Sequence, residues 1–209
     1  MMKIQKRQLL TLALASSLGL GAATSAFATA TVDQPAPAFS ATTADGRSID
    51  LASLRGKTVV LEWTNHDCPY VKKHYESGNI PAQQKEATAQ GVVWLQVISS
   101  APGQQGFVDG ATAAKLNSSR NAAPTGTLLD PTGAIGKAYG AQTTPHLYII
   151  TPEGQLAYKG GIDSIATAKK DDIAKAEPYV KLALADLKAG RKVAQANTRP
   201  YGCGVKYAS

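Results

Sequence analysis

Residues 58 to 71 read TVVLEWTNHDCPYV, and this pattern is the strongest fold signal in the chain. Thr58 to Trp63 are almost continuously apolar and rich in β-branched residues, which is typical of a strand buried on both faces. Pro69 suits the first turn of a helix, where the missing N–H needs no acceptor. The stretch therefore predicts a buried strand, a short connection, and a helix that Cys68 caps.

The chain after Pro69 continues this unit. The helix is predicted to run towards Gln90, with an interruption near Gly78 to Pro81, and Gly91 ends it. Val92 to Ile98 then have the apolar, β-branched character of a second buried strand. A strand, a helix and a strand in this order predict a βαβ unit.

Shorter elements are predicted on both sides of this unit. They are a hairpin of Ala38 to Ser40 and Ser48 to Leu51 around Asp45-Gly46, a helix from Gly110 to Leu116, a strand at Leu128 to Asp130, a helix from Ile135 to Tyr139, a hairpin of His146 to Ile150 and Gln155 to Lys159, and a last helix between Pro178 and Gly190. The sequence therefore predicts an α/β domain, with a central mixed sheet flanked by helices, an N-terminal hairpin and a C-terminal tail.

The first thirty residues differ from the rest, because they contain no Asp or Glu. Their three parts are Lys3, Lys6 and Arg7, an apolar run from Leu9 to about Leu20, and small residues ending at Ala28 and Ala30. This pattern is typical of a secretory signal peptide. We therefore expect cleavage near Ala28 or Ala30 and a periplasmic or secreted product.

Composition limits the remaining function classes. The 209 residues carry a formal net charge of +7, with 22 Lys and Arg against 15 Asp and Glu and no long block of one sign, so a nucleic-acid partner is not indicated. No second apolar run of about 20 residues follows the signal, so a membrane-embedded protein is not expected. We expect a signal peptide at residues 1–30, one domain at 31–190, and a C-terminal tail at 191–209.

The two cysteines, Cys68 and Cys203, allow more than one interpretation. In an oxidising compartment they can form a permanent disulfide that pins the tail. Alternatively, the N–H groups and the positive dipole end of the helix stabilise a thiolate at Cys68, with further positive potential from Lys72 and Lys73. Cys203 lies between two glycines on the tail, where it can reach an oxidised Cys68 as a resolving thiol. A third option is that the two cysteines never meet.

Polar residues before Cys68 are further candidates for the chemistry. Asn65 and Thr64 can orient a bound peroxide through neutral hydrogen bonds, and His66 can donate to an oxyanion or hold a proton near the thiolate. Asp67 would oppose thiolate formation if it were close, because like charges disfavour one another. His66 and Asp67 are equally consistent with ordinary loop residues.

A buried strand, a cysteine at the start of the next helix, and a later Thr-Pro pair directly before a hairpin together resemble the thioredoxin fold. In that fold the proline of the pair is cis and faces the active-site cysteine. The resemblance therefore implies that Thr144 and Pro145 lie beside Cys68. It also makes His146, which follows the proline, a candidate donor to the reacting atoms.

Two longer segments narrow the resemblance. The entry SLRGKTVVL at residues 53–61 resembles the redoxins of the alkyl hydroperoxide reductase and thiol-specific antioxidant superfamily. Residues 63–75 together with the tail residues 199–207 resemble one peroxiredoxin-like subgroup of it. This resemblance implies an exported antioxidant or thiol-disulfide oxidoreductase without a cofactor, in which Cys68 is the nucleophile, Cys203 resolves it, and an external dithiol protein supplies the reductant.

The substrate stays open between a hydroperoxide and a protein disulfide. Val71 stands where thioredoxin-type reductases carry the second cysteine of Cys-x-x-Cys. Leu61 and Asn65 stand where peroxiredoxins carry Pro and Thr, and no Arg is present near Thr144 to His146, where their active-site Arg would fall.

A second class of function is a module without catalytic activity. In this alternative the disulfide between Cys68 and Cys203 is structural. A variant of it uses both thiols with His66 and His146 as a soft metal site, because thiolate and imidazole ligands suit copper(I) or zinc.

Overall fold

The structure, a computed structural model, describes residues 29 to 208, so residues 1–28 of the predicted signal peptide lie outside the described residues. The strands are β1 (Ser40–Thr43), β2 (Ser48–Asp50), β3 (Val59–Trp63), β4 (Val93–Ile98), β5 (Gly126–Leu129), β6 (Thr143–Thr144), β7 (His146–Ile150), β8 (Leu156–Gly160) and β9 (Cys203–Gly204). The α-helices are α1 (Pro69–Glu76), α2 (Asn79–Ala89), α3 (Gly110–Ser119), α4 (Ala134–Tyr139) and α5 (Tyr179–Lys188), and Leu51–Leu54 and Lys170–Lys175 are short 3₁₀ helices.

Seven strands form one mixed sheet in the order β2-β1-β5-β4-β3-β7-β8. Strand β3 lies near its centre, parallel to β4 and antiparallel to β7. All five residues of β3 are buried, as its apolar pattern predicts for a strand with neighbours on both sides. The predicted α/β class, the central mixed sheet and the N-terminal hairpin are confirmed.

The two faces of the sheet carry separate hydrophobic clusters, because side chains alternate along each strand. Leu61 and Trp63 of β3 pack into one cluster together with Tyr139 of α4. Val60, on the other face, packs into a second cluster that contains Cys68. Helices α1, α2 and α5 cover this second face, which is therefore the face on which Cys68 lies.

The helix predicted after Cys68 is two helices. Helix α1 ends at Glu76, and α2 begins after Gly78, which adopts a positive φ of 74°. Glycine reaches this conformation without the Cβ clash that other residues meet, so the chain changes direction there. The predicted interruption near Gly78 is thus confirmed.

A buried carboxyl group in β3 holds the first two helices in place. Glu62 accepts hydrogen bonds from Tyr75 Oη at 2.6 Å, Trp94 Nε1 at 2.7 Å and Gln84 Nε2 at 2.9 Å. Burial raises the pKa of this carboxyl, while those hydrogen bonds and the charge of Arg120 lower it in part. Because its donors come from α1, α2 and β4, the carboxyl ties the helix that follows the cysteine to the sheet.

None of the helices within residues 29–208 has the length and apolar character needed to cross a membrane.

Candidate active site

Cys68 occupies the N-cap position of α1, as predicted. Its backbone N–H donates to Asn65 O at 3.1 Å, and its carbonyl accepts from Lys72 N at 2.9 Å, so the turn and the first helical bond both hold the residue. The side chain is 0% exposed, and its thiol donates to Thr144 O at 3.1 Å. A buried thiol at a helix start therefore lies against the Thr-Pro segment.

The tail brings Cys203 to the same place. The Thr144–Pro145 peptide bond is cis, and β6 pairs antiparallel with β9, so that Cys203 lies opposite Thr144. Gly202, which precedes Cys203, has a φ of 135°, and a Cβ on it would lie 2.0 Å from Thr144 O. Only glycine permits this approach, so the pairing depends on the residue next to the second cysteine.

The two thiols have different electrostatic surroundings. Burial raises the pKa of Cys68, but hydrogen bonds from the Cys203 thiol, the Val71 N–H, the Cys203 N–H and the Thr144 hydroxyl outweigh it and leave the pKa below its ordinary value. A thiolate is the nucleophilic form of cysteine. Cys68 is therefore the thiol of the pair that ionises more readily.

The pKa of Cys203 is raised to about 11, first by burial and then by its hydrogen bond to Cys68 and by the negative charge that Cys68 carries as a thiolate. Lys206 lowers it in part. Cys203 is half-exposed, whereas Cys68 is fully buried. The tail cysteine is thus the proton donor of the pair while Cys68 is ionised.

The structure corrects the role predicted for Lys73. This side chain is buried, and its Nζ donates to Ile165 O at 3.2 Å and lies 3.8 Å from Asp163 Oδ2. Lys73 is the fifth residue of α1, so its side chain projects from a different face of the helix than the N-cap thiol. Its charge therefore pairs with Asp163, and hydrogen bonds rather than a lysine stabilise the Cys68 thiolate.

The polar residues before Cys68 mainly shape the turn. Asn65 is buried, and its Oδ1 accepts from Asp67 N at 2.9 Å while its Nδ2 donates to Gln105 O at 3.2 Å. His66 and Asp67 are partly exposed and lie 3.5 Å apart. Among the described hydrogen bonds, none joins these three side chains to the Cys68 thiol.

His146 and Cys68 lie on opposite faces of the sheet. The His146 ring packs on Tyr148, with ring centroids 4.6 Å apart, and its Nδ1 accepts from Gln142 N at 3.3 Å. Tyr148 belongs to the cluster on the face away from the cysteine. Burial and the charge of Lys159 lower the pKa of His146 to about 3, so the ring is neutral. Because side chains alternate along β7, Leu147 rather than His146 lies on the face of the sheet that carries Cys68.

The metal site considered from the sequence is not assembled in the part of the chain that the structure describes. No group of three or more His, Cys, Asp or Glu side chains there is placed to hold a metal ion.

A buried hydrogen-bond chain beside the thiols was not predicted. Asn79 Nδ2 donates to His74 Nδ1 at 2.8 Å, so His74 Nε2 carries the proton and donates to Tyr201 Oη at 3.0 Å. Tyr201 in turn donates to Asp163. Burial and the charge of Lys73 lower the pKa of His74 to about 3, which keeps it neutral. These hydrogen bonds hold the tail at Tyr201, two residues before Cys203.

Comparison with known proteins agrees with this geometry. The model of the AhpC/TSA family matches residues 32–159. A search of curated proteins finds no match.

Solved structures share the fold at low sequence identity. An uncharacterized conserved protein from Geobacillus kaustophilus superimposes with a TM-score of 0.72 and 22% identity, over 85% of this chain and 93% of that chain. A hypothetical protein from Sinorhizobium meliloti superimposes with a TM-score of 0.68 and 19% identity, over 87% of this chain and 97% of that chain. A proposed protein disulfide isomerase from Bacteroides thetaiotaomicron superimposes with a TM-score of 0.51 and 19% identity, over 70% of this chain and 85% of that chain. The thioredoxin-like fold expected from the sequence is confirmed.

Proposed function

The chain belongs to the AhpC/TSA family and is a thiol-dependent oxidoreductase, and we propose that it acts as a two-thiol redoxin in which Cys68 attacks and Cys203 resolves. One observation carries the proposal. The pairing of β6 with β9 holds Cys203 opposite Thr144, whose carbonyl accepts from the Cys68 thiol. The two sulfur atoms thereby share one hydrogen-bonded site.

The first step is attack by the Cys68 thiolate. On a hydroperoxide, the sulfur takes the terminal oxygen, the O–O bond breaks, and the leaving oxygen takes up the proton that Cys68 released on ionising. The products are a Cys68 sulfenic acid and an alcohol or water. On a disulfide, the sulfur bonds to one partner sulfur and the other leaves as a thiolate. Hydrogen bonds at the helix start favour the thiolate that both reactions need.

The second step closes the disulfide between Cys203 and Cys68. Cys203 loses its proton, its sulfur attacks Cys68 sulfur, and water or the partner thiolate leaves. Part of the rise in the Cys203 pKa comes from the charge and hydrogen bonding of the Cys68 thiolate. Once Cys68 is oxidised and neutral, that part vanishes, so Cys203 becomes easier to deprotonate when its attack is needed.

Asn65, Thr144, Pro145 and His146 support this pair in the proposal. Thr144 contacts both cysteines, since its carbonyl accepts from the Cys68 thiol and its hydroxyl donates to Cys203 O at 3.4 Å. Asn65 and His146 are positioning residues that hold the turn and the start of β7. An external dithiol protein regenerates the two thiols by donating two electrons and two protons, and no cofactor takes part.

We also propose export to the periplasm or the exterior, with cleavage after Ala28. Ala30 is 2% exposed, and its carbonyl accepts from Lys159 Nζ at 2.9 Å, which supports a processed chain that keeps this residue. Mass measurement of the secreted protein is expected to place the first residue at Thr29. A first residue at Thr31 would contradict the proposed cleavage site.

The redox proposal is tested on the processed, fully reduced protein and its Cys203→Ser and Cys68→Ser variants. Each is exposed to hydrogen peroxide and, separately, to a disulfide-bonded peptide, and the products are identified by mass. The wild type is expected to lose two hydrogens and form the intramolecular disulfide. Cys203→Ser is expected to stop at a sulfenic acid or a mixed disulfide on Cys68.

Cys68→Ser is the control, because it keeps Cys203 and removes the nucleophile. It is expected to react no faster than a free thiol. The faster oxidant of the wild type identifies the substrate class. If Cys203 alone reacts, or if the wild-type disulfide forms but resists reduction by a dithiol protein, the proposed cycle is wrong and a structural disulfide replaces it.

A further inference from the structure

The Cys68 thiol, which attacks first in the proposed cycle, is completely buried in the structure. Cys68 is 0% exposed, and Cys203 and Tyr201 pack against the cluster that contains it. Residues 202–208 are here called the terminal segment, and its Cys203 lies opposite Thr144 and forms a hydrogen bond with Cys68. Cys203 is therefore part of the cover of the buried thiol.

Beyond β9, the backbone of the terminal segment makes two hydrogen bonds with loops of the domain. Val205 N donates to Gln142 O at 3.0 Å, and Ala101 N donates to Lys206 O at 2.8 Å. These bonds lie after Cys203 in the chain. They therefore hold the cysteine from its C-terminal side.

Tyr207 forms the outermost contact of this segment. Its Oη donates to Ala141 O at 2.8 Å, and its ring lies on two glycines at the start of α4. A Cβ on Gly133 would lie 2.5 Å from Tyr207 Cδ1, and a Cβ on Gly136 would lie 2.4 Å from Tyr207 Oη. The ring thus occupies a cradle that exists because Gly133 and Gly136 have no side chains. Lys137 Nζ lies 5.9 Å from the centre of the ring.

We propose that Tyr207, seated in the cradle of Gly133 and Gly136, is the positioning residue that holds Cys203 over Cys68 and sets how often Cys68 is uncovered. The inference rests on the proposed function and adds to it a gate that lies outside the thiol pair. Departure of Tyr207 frees the segment from its outer end, and Gly202 provides the pivot.

The order of residues along the chain separates Tyr207 from Tyr201. Tyr201 precedes Cys203 and is held in the chain of hydrogen bonds from His74 to Asp163. Opening from the C-terminal end breaks the contacts of Tyr207, then the two backbone bonds, then β9, and leaves Tyr201 in place. Tyr201 is therefore the fixed end and Tyr207 the moving end.

The test measures alkylation of Cys68 by iodoacetamide in the reduced Cys203→Ser protein, where Cys68 is the single thiol. A buried thiol reacts in proportion to the population of the open form. Adding Tyr207→Phe removes one hydrogen bond, and the rate is expected to rise about three- to tenfold. Adding Tyr207→Ala also removes the ring contacts of a half-buried side chain, and the expected rise is about ten- to hundredfold.

Gly136→Ala tests the same contact from the other side. The new Cβ would lie 2.4 Å from Tyr207 Oη and 2.9 Å from Ser99 Oγ, so the Tyr207 ring must leave and the Ser99 hydroxyl must shift slightly. Alanine suits the helix, and the rate is expected to rise as in Tyr207→Ala. The double variant Gly136→Ala/Tyr207→Ala is expected to react no faster than the faster single variant, because both changes break one contact. Independent sites would instead multiply their effects.

Two measurements separate gating from general loosening. Amide hydrogen exchange of β3 is expected to stay unchanged in all variants, and the thiolate fraction, read from ultraviolet absorbance, corrects each rate. Unchanged alkylation in Tyr207→Ala, multiplicative single effects, or a matching loss of protection in β3 would overturn the inference and leave the redox proposal standing. If the uncovered Cys68 fails to react with peroxide or disulfide, the proposed function itself is wrong.

Discussion

The two cysteines are held by opposite kinds of structure. Cys68 stands where a central strand passes into a helix, fully buried and held by bonds of its own turn. Cys203 stands in a two-residue strand whose described partner is the equally short β6, and it is half-exposed. The first position is built from neighbours in sequence, and the second from contacts with residues about 60 positions away.

In the proposed cycle, this difference divides the chemistry between the two thiols. A rigid, hydrogen-bonded surrounding stabilises a thiolate and suits the attacking group, whereas a segment that detaches at low cost suits the group that must move in afterwards. We therefore expect substitutions around Cys203, the proposed resolving thiol, to disrupt the site more easily than substitutions around Cys68.

The largest effect is expected from Gly202→Ala. The new Cβ meets Thr144 O, and the positive φ of 135° adds strain, so closing β9 onto β6 is expected to cost about 2 to 4 kcal/mol more. The equilibrium constant of the Cys68–Cys203 disulfide against glutathione is then expected to fall roughly thirtyfold or further. Quantifying thiols in glutathione buffers measures it.

Gly204→Ala is the matched control for this change. Gly204 lies on the other side of Cys203 in the same strand, and the nearest atom to its added Cβ is Gln142 O at 4.0 Å. The disulfide equilibrium is expected to stay within about twofold of the wild type. Equal effects of the two alanines would show that the approach of Gly202 to Thr144 does not govern the pairing.

The next effect concerns the pH dependence of stability, which we expect to come from two buried histidines rather than from the thiols. His74 and His146 have folded pKa values of about 3, below the ordinary 6.5, so the unfolded state binds more protons. The free energy of unfolding therefore decreases as the pH falls from 6.5 to 5, by up to about 1.4 kcal/mol per pH unit for each histidine. Urea unfolding at several pH values measures this slope.

Two variants locate the source of that slope. His146→Gln is expected to remove about half of it, because a glutamine does not titrate. Cys68→Ser is expected to leave it unchanged, since this variant keeps both histidines. A slope that survives in the double variant His74→Gln/His146→Gln would assign the pH dependence to carboxyl groups instead.

The smallest effect sharpens the link between the thiols. Cys203→Ala removes the side-chain donor to the Cys68 thiolate, whereas Cys203→Ser keeps a hydroxyl donor in its place. The pKa of Cys68 is expected to be higher in the alanine variant than in the serine variant, because a hydrogen bond from residue 203 lowers it. Thiolate absorbance against pH measures both values, and identical values would mean that no side-chain hydrogen bond joins the two residues.

The Cys68 side of the site could be predicted from the sequence because its determinants are local. The apolar run before the turn, the proline after Cys68 and the glycine between the helices each act on their own neighbours, and the structure has each element where its pattern indicates. The Thr144–Pro145 segment followed from a resemblance, and the structure places it against the thiol.

The tail side could not be predicted in the same way. Nothing near Cys203 indicates that it pairs with Thr144, because that contact depends on Gly202 meeting a distant carbonyl. The sequence predicts that a strand begins at His146, but it does not predict which face of the sheet the His146 side chain occupies. In the structure Leu147, not His146, lies on the face of Cys68. Glu62 had a signal, an acid within an apolar strand, which predicts buried hydrogen-bond partners but not their identity.

The short pairing of β6 with β9 also has a consequence for the time course of synthesis. A polypeptide emerges with its N-terminal end first, so β3, α1 and β4 are complete before the residues of β9 exist. During this interval Cys68 has neither its cover nor its partner. The residues of β9 emerge long after Cys68, so the period of its greatest exposure to stray oxidants lasts until β9 has paired with β6.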